Sequence, residues 1–237
     1  MLNRSKHQSV LVKLLKDIYK DPFLASLLGF KGGTAAFLLY DLPRFSVDLD
    51  FDLLRDTPED RERVFARLRE IIAPYGEIKD EQQKFLTIFF ALSYGFGEHQ
   101  IKVEVNTRPT GASYEMRQYL GIPVRVATPA SLLAGKLIAL THRKKSAVRD
   151  IFDTHFFLEK DWDIDEAMFE SYQISSVTDY LEECARFIEQ FPENKILYGL
   201  GELVDEPMKR WVKTSLREET LFLLRARREI LLKEKKN

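Results

Sequence analysis

Two aspartates, Asp48 and Asp50, stand in the segment Val47-Asp48-Leu49-Asp50-Phe51-Asp52-Leu53, which alternates strictly between apolar and acidic residues. In an extended strand alternate side chains share a face, so Asp48 and Asp50 point one way and Val47, Leu49 and Phe51 the other. Two carboxylates this close repel each other unless a cation lies between them. Hard oxygen donors suit Mg²⁺, with Mn²⁺ as the alternative, and Mg²⁺ commonly takes one or two carboxylates plus substrate phosphates. A third acid comes from Ile101-Lys102-Val103-Glu104-Val105-Asn106, where the apolar side is 101, 103 and 105 and Glu104 falls on the polar side. If the two strands are neighbours, Asp48, Asp50 and Glu104 make a metal set suited to clamping both oxygens of a phosphoryl displacement. Upstream, Gly32-Gly33-Thr34 leads into a helix. A diglycine turn exposes backbone N–H groups and lets a phosphate approach without side-chain obstruction. Thr34 could cap that helix or bind a phosphate oxygen.

Gly32-Gly33-Thr34 followed by Arg44-x-Ser46-x-Asp48-Leu49-Asp50-Phe51 resembles the AbiEii/AbiGii-type toxins, nucleotidyltransferases of the DNA polymerase β-like superfamily. The resemblance continues through Lys136-Leu137-x-Ala139-Leu140-x-x-Arg143 and Arg149-Asp150-x-x-Asp153, in the same order along the chain. It implies that Asp48 and Asp50 bind catalytic metals, with Glu104 as the third acid. It also implies that Lys136, Asp150 and Asp153 are needed for activity, and it favours an active-site hydrogen bond from Ser46.

The later motif has its own geometry. Lys136 and Arg143 are seven residues apart, nearly two helical turns, and share a face. From Val124 to Arg149 the chain carries Arg125, Lys136, Arg143, Lys144, Lys145 and Arg149 and no acid, a cationic stretch suited to a nucleoside triphosphate. Lys136 is expected to contact the triphosphate, with Asp150 and Asp153 orienting it, or Arg143, or a substrate hydroxyl. Arg149 and Asp153 are spaced for an i,i+4 pair.

The elements that must position these residues follow from periodicity. Val10, Leu11, Leu14, Leu15 and Ile18 predict a helix over about 5–20, and Pro22 a short second one. Phe30-Lys31 reads as extended, and the helix after Gly32 should end at Pro43. Strands are expected at 47–53, 85–92 and 100–105, the last two joined by a hairpin loop, with an edge strand at 122–126 where Pro123 is tolerable. Helices are expected near 58–73, 129–143, 147–159, 176–190 and 207–234. The sum is an α+β protein. A mixed α/β part is expected over residues 1–126 and a helical part over 127–237; the resemblance implies that the first is a polymerase β-like nucleotidyltransferase domain of mixed sheet and flanking helices and that the second completes the nucleotide cleft.

Composition excludes other classes. Charged residues balance to a net −1, which rules out a histone-like basic protein or a highly charged disordered tail. Cys184 is the one cysteine, so there is neither a disulfide framework nor a thiolate metal cluster, and its helical, apolar context predicts a buried thiol. No apolar run approaches the roughly 20 residues of a membrane span, and the first residues lack a signal peptide's pattern. A cytoplasmic protein is expected. Asp48-x-Asp50-x-Asp52 mimics an EF-hand loop, but Leu53 stands where that loop needs glycine. Gly135-Lys136 fails as a P-loop, because Ala130 and Leu137 occupy its first glycine and its Ser/Thr position. Asp52 reads as an exposed acid or one standing behind the ligands, and Arg44 as a structural cation if it pairs with a nearby acid. His7, His99, His142 and His155 have no zinc spacing. From Lys209 to Lys236 ten basic residues face four acids, suiting either a solvated helix face or an RNA backbone.

The expected activity is Mg²⁺-dependent transfer of a nucleoside monophosphate from an NTP, with release of pyrophosphate. Asp48, Asp50 and Glu104 would hold metal, Glu104 being also the candidate base, while Gly32, Gly33, Thr34, Ser46, Lys136 and Arg143 would bind the nucleotide. The resemblance implies a toxin neutralised by an antitoxin protein, with RNA, particularly the tRNA 3′ end, as acceptor. The alternatives are the same chemistry on a protein or small molecule, and a nucleotide-binding module without turnover.

Overall fold

The computed structural model describes residues 2–142 and 148–234. Two compact units make up the chain. The first comprises Met1–Asp41, Phe45–Thr110 and Tyr114–Ala127, the second Leu42–Arg44, Gly111–Ser113 and Thr128–Asn237.

The first unit is built on a mixed sheet of β1 (Leu28–Lys31), β2 (Leu49–Leu53), β3 (Glu77–Lys84), β4 (Thr87–Ser93), β5 (Ile101–Asn106), β6 (Tyr114–Tyr119) and β7 (Ile122–Ala127). The strand order is β3-β4-β5-β2-β1-β7-β6. The β2–β5 and β1–β7 pairs are parallel and the rest antiparallel. Alternation sorts the faces: Phe30, Leu49, Phe51, Ile88, Phe90, Val103 and Val105 are fully buried. The helices α1 (Arg4–Lys20) and α4 (Pro58–Ile72) contribute Leu11, Leu14, Leu15, Ile18, Val64, Leu68 and Ile72 to the same core. Both helices start on caps that the sequence carries. Asn3 accepts from the Lys6 amide, and Thr57 accepts from the Asp60 amide with Pro58 at the first helical position. Asp21 caps the short α2 (Pro22–Leu27). The diglycine opens α3 (Gly32–Leu39).

Several expectations are corrected. β2 begins at Leu49, so Asp48 lies on the approach to the strand: its carbonyl accepts from Thr34 and its carboxylate from the Lys102 amide. α3 ends at Leu39, short of Pro43, because Asp41 turns the chain through a left-handed conformation at φ 60°. β7 is not an edge strand but lies between β1 and β6. Pro123 is accommodated because β7 meets β1 only near Val126, leaving that flank of Pro123 without a ladder. β3 and β6 are strands that periodicity does not predict.

The second unit is helical: α5 (Pro129–His142), α6 (Val148–Glu159), α7 (Glu166–Ser171), α8 (Val177–Glu189), α9 (Glu206–Thr214) and α10 (Leu216–Glu234). Its core includes Leu133, Leu137, Ile151, Phe157, Leu181, Ile188, Leu216 and Leu224, with Cys184 fully buried among them. The expected single terminal helix is two, separated at Ser215, which leaves helical geometry at φ −129°. None of the described helices is long and apolar enough to cross a membrane.

Candidate functional site

The β2 register sets the site in the first unit. Asp50 pairs with Lys31 on one side and Glu104 on the other, while Asp52 pairs with Gly29 and Asn106. Paired residues on adjacent strands project to the same face, so Lys31, Asp50, Asp52, Glu104 and Asn106 form a polar surface opposite the apolar core. Asp50 is half-buried and Glu104 exposed. Asp48 is half-buried and fixed by the Lys102 amide, 3.1 Å from its Oδ1, which turns that carboxylate toward the start of β5.

The diglycine bend lies directly against Asp50. Gly32 has φ +78°, and a Cβ there would stand 2.6 Å from Asp50 Oδ2. Glycine is therefore required twice, for the left-handed backbone and for the space that the carboxylate occupies. Lys31 sits at the N-cap of α3 and makes no side-chain capping bond. Thr34 and Ser46 are buried. Thr34 Oγ1 is bonded to Ser46 Oγ at 2.9 Å and to the Asp48 carbonyl, so the two hydroxyls link the first turn of α3 to the chain just before β2. His7 fastens the same stretch: its Nε2 donates to the Val47 carbonyl at 2.9 Å, and its Nδ1 accepts from Tyr94 Oη at 2.8 Å. Burial holds the His7 pKa below its ordinary value, consistent with that neutral tautomer.

Asp48 and Asp50 carry hard oxygen donors of the kind Mg²⁺ takes, and the lack of a side chain at Gly32 lets the Asp50 carboxylate lie against the bend. Among the described residues, no group of three or more His, Cys, Asp or Glu is placed to hold a metal ion by itself. The residues fit a metal shared between carboxylates and substrate phosphates rather than an all-protein cage.

The other sequence-selected residues form a buried cluster within the second unit. Lys136 on α5 reaches Asp150 Oδ1 and Asp153 Oδ2 on α6, both at 2.7 Å. Arg44 grips the same Asp153 in a two-pronged contact, Nε to Oδ1 at 2.5 Å and Nη2 to Oδ2 at 2.7 Å. Asp153 is fully buried, and Asp150 and Arg44 nearly so. Burial alone would push the Asp153 pKa up, but the charges of Arg44 and Lys136 and their hydrogen bonds outweigh it and hold the carboxyl below its usual range. Asp153 thus has partners remote in sequence rather than the i,i+4 arginine suggested by spacing. Arg143, with Lys144 and Lys145, lies outside the described residues.

Several cations of the basic terminal segment are engaged within their own unit. Arg217 donates to the carbonyls of Ile188 and Glu189, Arg225 pairs with Glu189, and Arg227 pairs with Asp161 at 2.8 Å.

Of the two readings of Asp52, exposed acid or acid standing behind the ligands, its burial excludes the first. It is buried at 3% exposure and collects donors from Lys31, Asn106, Thr110 and Tyr114. Its place on the same face as Asp50 follows from alternation, but its partners follow only from register.

Comparison with known proteins bears on the whole chain. Residues 13–227 match the family described as Nucleotidyl transferase AbiEii toxin, Type IV TA system. The chain belongs to that family. It is therefore a nucleotidyltransferase of the AbiEii type, and the family supports a role in type IV toxin–antitoxin systems. Two solved structures share the α+β nucleotidyltransferase fold. One is a Helicobacter pylori protein provisionally classed as a nucleotidyltransferase, with TM-score 0.62 and 20% identity, covering 97% of this chain and 96% of that one. The other is JHP933 from Helicobacter pylori, with TM-score 0.59 and 20% identity, covering 100% of this chain and 97% of that one. No curated protein matches the AbiEii chain.

Proposed function

We propose that the protein transfers a nucleoside monophosphate from an NTP to an RNA acceptor, the tRNA 3′ end foremost, in a Mg²⁺-dependent reaction, with Mn²⁺ as a substitute metal. The observation that carries this is the packing of the Gly32 bend against the Asp50 carboxylate, with Glu104 paired beside it. That arrangement brings backbone suited to phosphate next to acids suited to metal, as the chemistry requires.

Asp48 and Asp50 would hold the metal, with Glu104 as the third acid. When bound, Mg²⁺ would neutralise phosphate charge and lower the barrier to displacement at the α-phosphorus. The backbone at Gly32 and Gly33 would receive phosphate oxygens, and Thr34 and Ser46 would keep the bend in register with Asp48. Glu104, exposed on the face that Asp50 occupies, is proposed to accept the proton of the attacking hydroxyl. The Lys136 ammonium, held between Asp150 and Asp153, is assigned to the triphosphate. A protein antitoxin is the expected partner, as the toxin family suggests.

Incubation of the full chain with labelled NTPs, total RNA and cell protein in Mg²⁺ tests the acceptor. Label in RNA, lost on chelation, is the expected result. Label in protein would replace RNA by a protein acceptor, and no label in either from a folded chain would refute transfer to both. Growth arrest relieved by co-expression of the neighbouring reading frame is the expected toxin behaviour.

A further inference from the structure

Beside the proposed metal acids lies a network that neither the metal nor the diglycine bend requires. Asp52 is buried on the polar face, and both of its oxygens are saturated. Oδ1 accepts from Lys31 Nζ at 2.5 Å and Asn106 Nδ2 at 2.6 Å, and Oδ2 accepts from Tyr114 Oη at 2.5 Å and Thr110 Oγ1 at 3.3 Å. A carboxylate with four donors has its lone pairs filled, which leaves it poorly disposed to act as a further metal ligand.

The chain is shaped to allow this. Tyr114 comes from β6, and its ring crosses to β1, lying so close to Gly29 that a Cβ there would stand 2.3 Å from Tyr114 Cε1. A missing side chain, a buried carboxylate and a half-buried phenol thus combine around one point. Burying such a polar cluster brings no clear gain in stability, since well-packed apolar residues of similar volume often do as well or better. The cluster does fix one half-buried group that reaches solvent. Lys31 has 29% side-chain exposure, against 5% for Asp52. It stands opposite Asp50 in register and immediately precedes Gly32. Its ammonium has three donors, of which Asp52 Oδ1 takes one.

We propose that Lys31 is a phosphate-contacting residue of the nucleotide site, and that Asp52, braced by Asn106, Thr110 and Tyr114, is the positioning residue that aims it. This deepens the proposed nucleotidyl transfer and rests on it. The chemical class recognised is the polyphosphate of an NTP, independent of its base.

The test compares wild type with Lys31→Met, Lys31→Arg and Tyr114→Phe in steady-state transfer, with inorganic tripolyphosphate as a competitor of the NTP. Lys31→Met should raise the KM for NTP by about tenfold or more and weaken tripolyphosphate inhibition in parallel. Its melting temperature should fall only moderately, since Asp52 keeps Asn106, Thr110 and Tyr114 as donors, and Lys31→Arg should recover most of the KM loss. Tyr114→Phe, which removes one hydroxyl from the Asp52 cluster, should raise KM severalfold with kcat nearly unchanged. Should Lys31→Met fail to fold, Lys31→Arg and Tyr114→Phe decide by the same split. Active wild type with unchanged KM and tripolyphosphate inhibition in the variants would overturn this inference alone. The same holds for a loss confined to kcat and melting temperature. A folded wild type that neither binds nor turns over NTP would instead overturn the proposed function.

Discussion

Removing Asp153 should cost more stability than removing any other charge in the second unit. Its carboxylate is fully buried and accepts two bonds from Arg44, itself 4% exposed, and one from Lys136. In Asp153→Ala the Arg44 guanidinium and the Lys136 ammonium both lose the buried carboxylate they share. Breaking a buried pair in this way costs about 3–5 kcal/mol. At roughly 2–4 °C per kcal/mol for a chain of this size, cooperative unfolding should shift down by about 10 °C. Arg44→Met should be milder, because Asp153 keeps Lys136, and the double variant should lose less than the sum of the singles by about 0.5–3 kcal/mol. Urea unfolding followed by tryptophan fluorescence suits the question, since both tryptophans, Trp162 and Trp211, lie in the same unit as Asp153. The sign with pH is fixed by the depressed Asp153 pKa. The stabilisation is complete above the unfolded value of 3.8 and is lost as pH falls through the lower folded value. A loss below about 1 kcal/mol for Asp153→Ala, the range of exposed pairs, would refute the claim that these four groups form one buried network.

Gly32→Ala should reduce transfer by about a hundredfold or more and cost about 1–3 kcal/mol, because it strains a left-handed backbone and drives a methyl into Asp50 Oδ2. Single-turnover kinetics and a urea melt check this, and near-wild-type activity would contradict it. Burial lowers the pKa values of His7 and His155, so the unfolded chain takes up protons first. Stability should fall as pH drops below about 6.5, and His7→Gln and His155→Gln should each flatten part of that slope in a pH series of melts. Burial pushes the Cys184 thiol well above its ordinary value, so a thiol reagent should leave the native protein unlabelled and react promptly in denaturant.

Much of the first unit was legible because its strands alternate. Val47 to Leu53 and Ile101 to Val105 carry the two-residue period that assigns Asp50 and Glu104 to the polar face. β3 was not legible, since Glu77–Lys84 is almost wholly polar and becomes a strand only by pairing along its length with β4. β6 is similar, as Tyr114–Tyr119 has no buried residue to mark a face. The partners of Asp153 and Asp52 were hidden for another reason. Arg44 lies 109 residues from Asp153, and Tyr114 lies 62 from Asp52, distances at which spacing carries no signal and only tertiary register decides. The break at Ser215 carries no signal in the sequence, because apolar positions continue across it. The presence of the diglycine, the aspartate pair and Lys136 could be read from residue types. Their surroundings could not.

The most direct test of nucleotidyl transfer at the β2 face uses the full chain with an NTP labelled at the α-phosphate and, in parallel, at the γ-phosphate, for wild type and Asp50→Asn. Transfer of α-label with release of pyrophosphate, no transfer of γ-label, and loss of transfer in an Asp50→Asn protein that melts like wild type are the predicted results. Transfer of γ-label, or an Asp50→Asn protein as active as wild type, would contradict the assignment of this face as the catalytic centre.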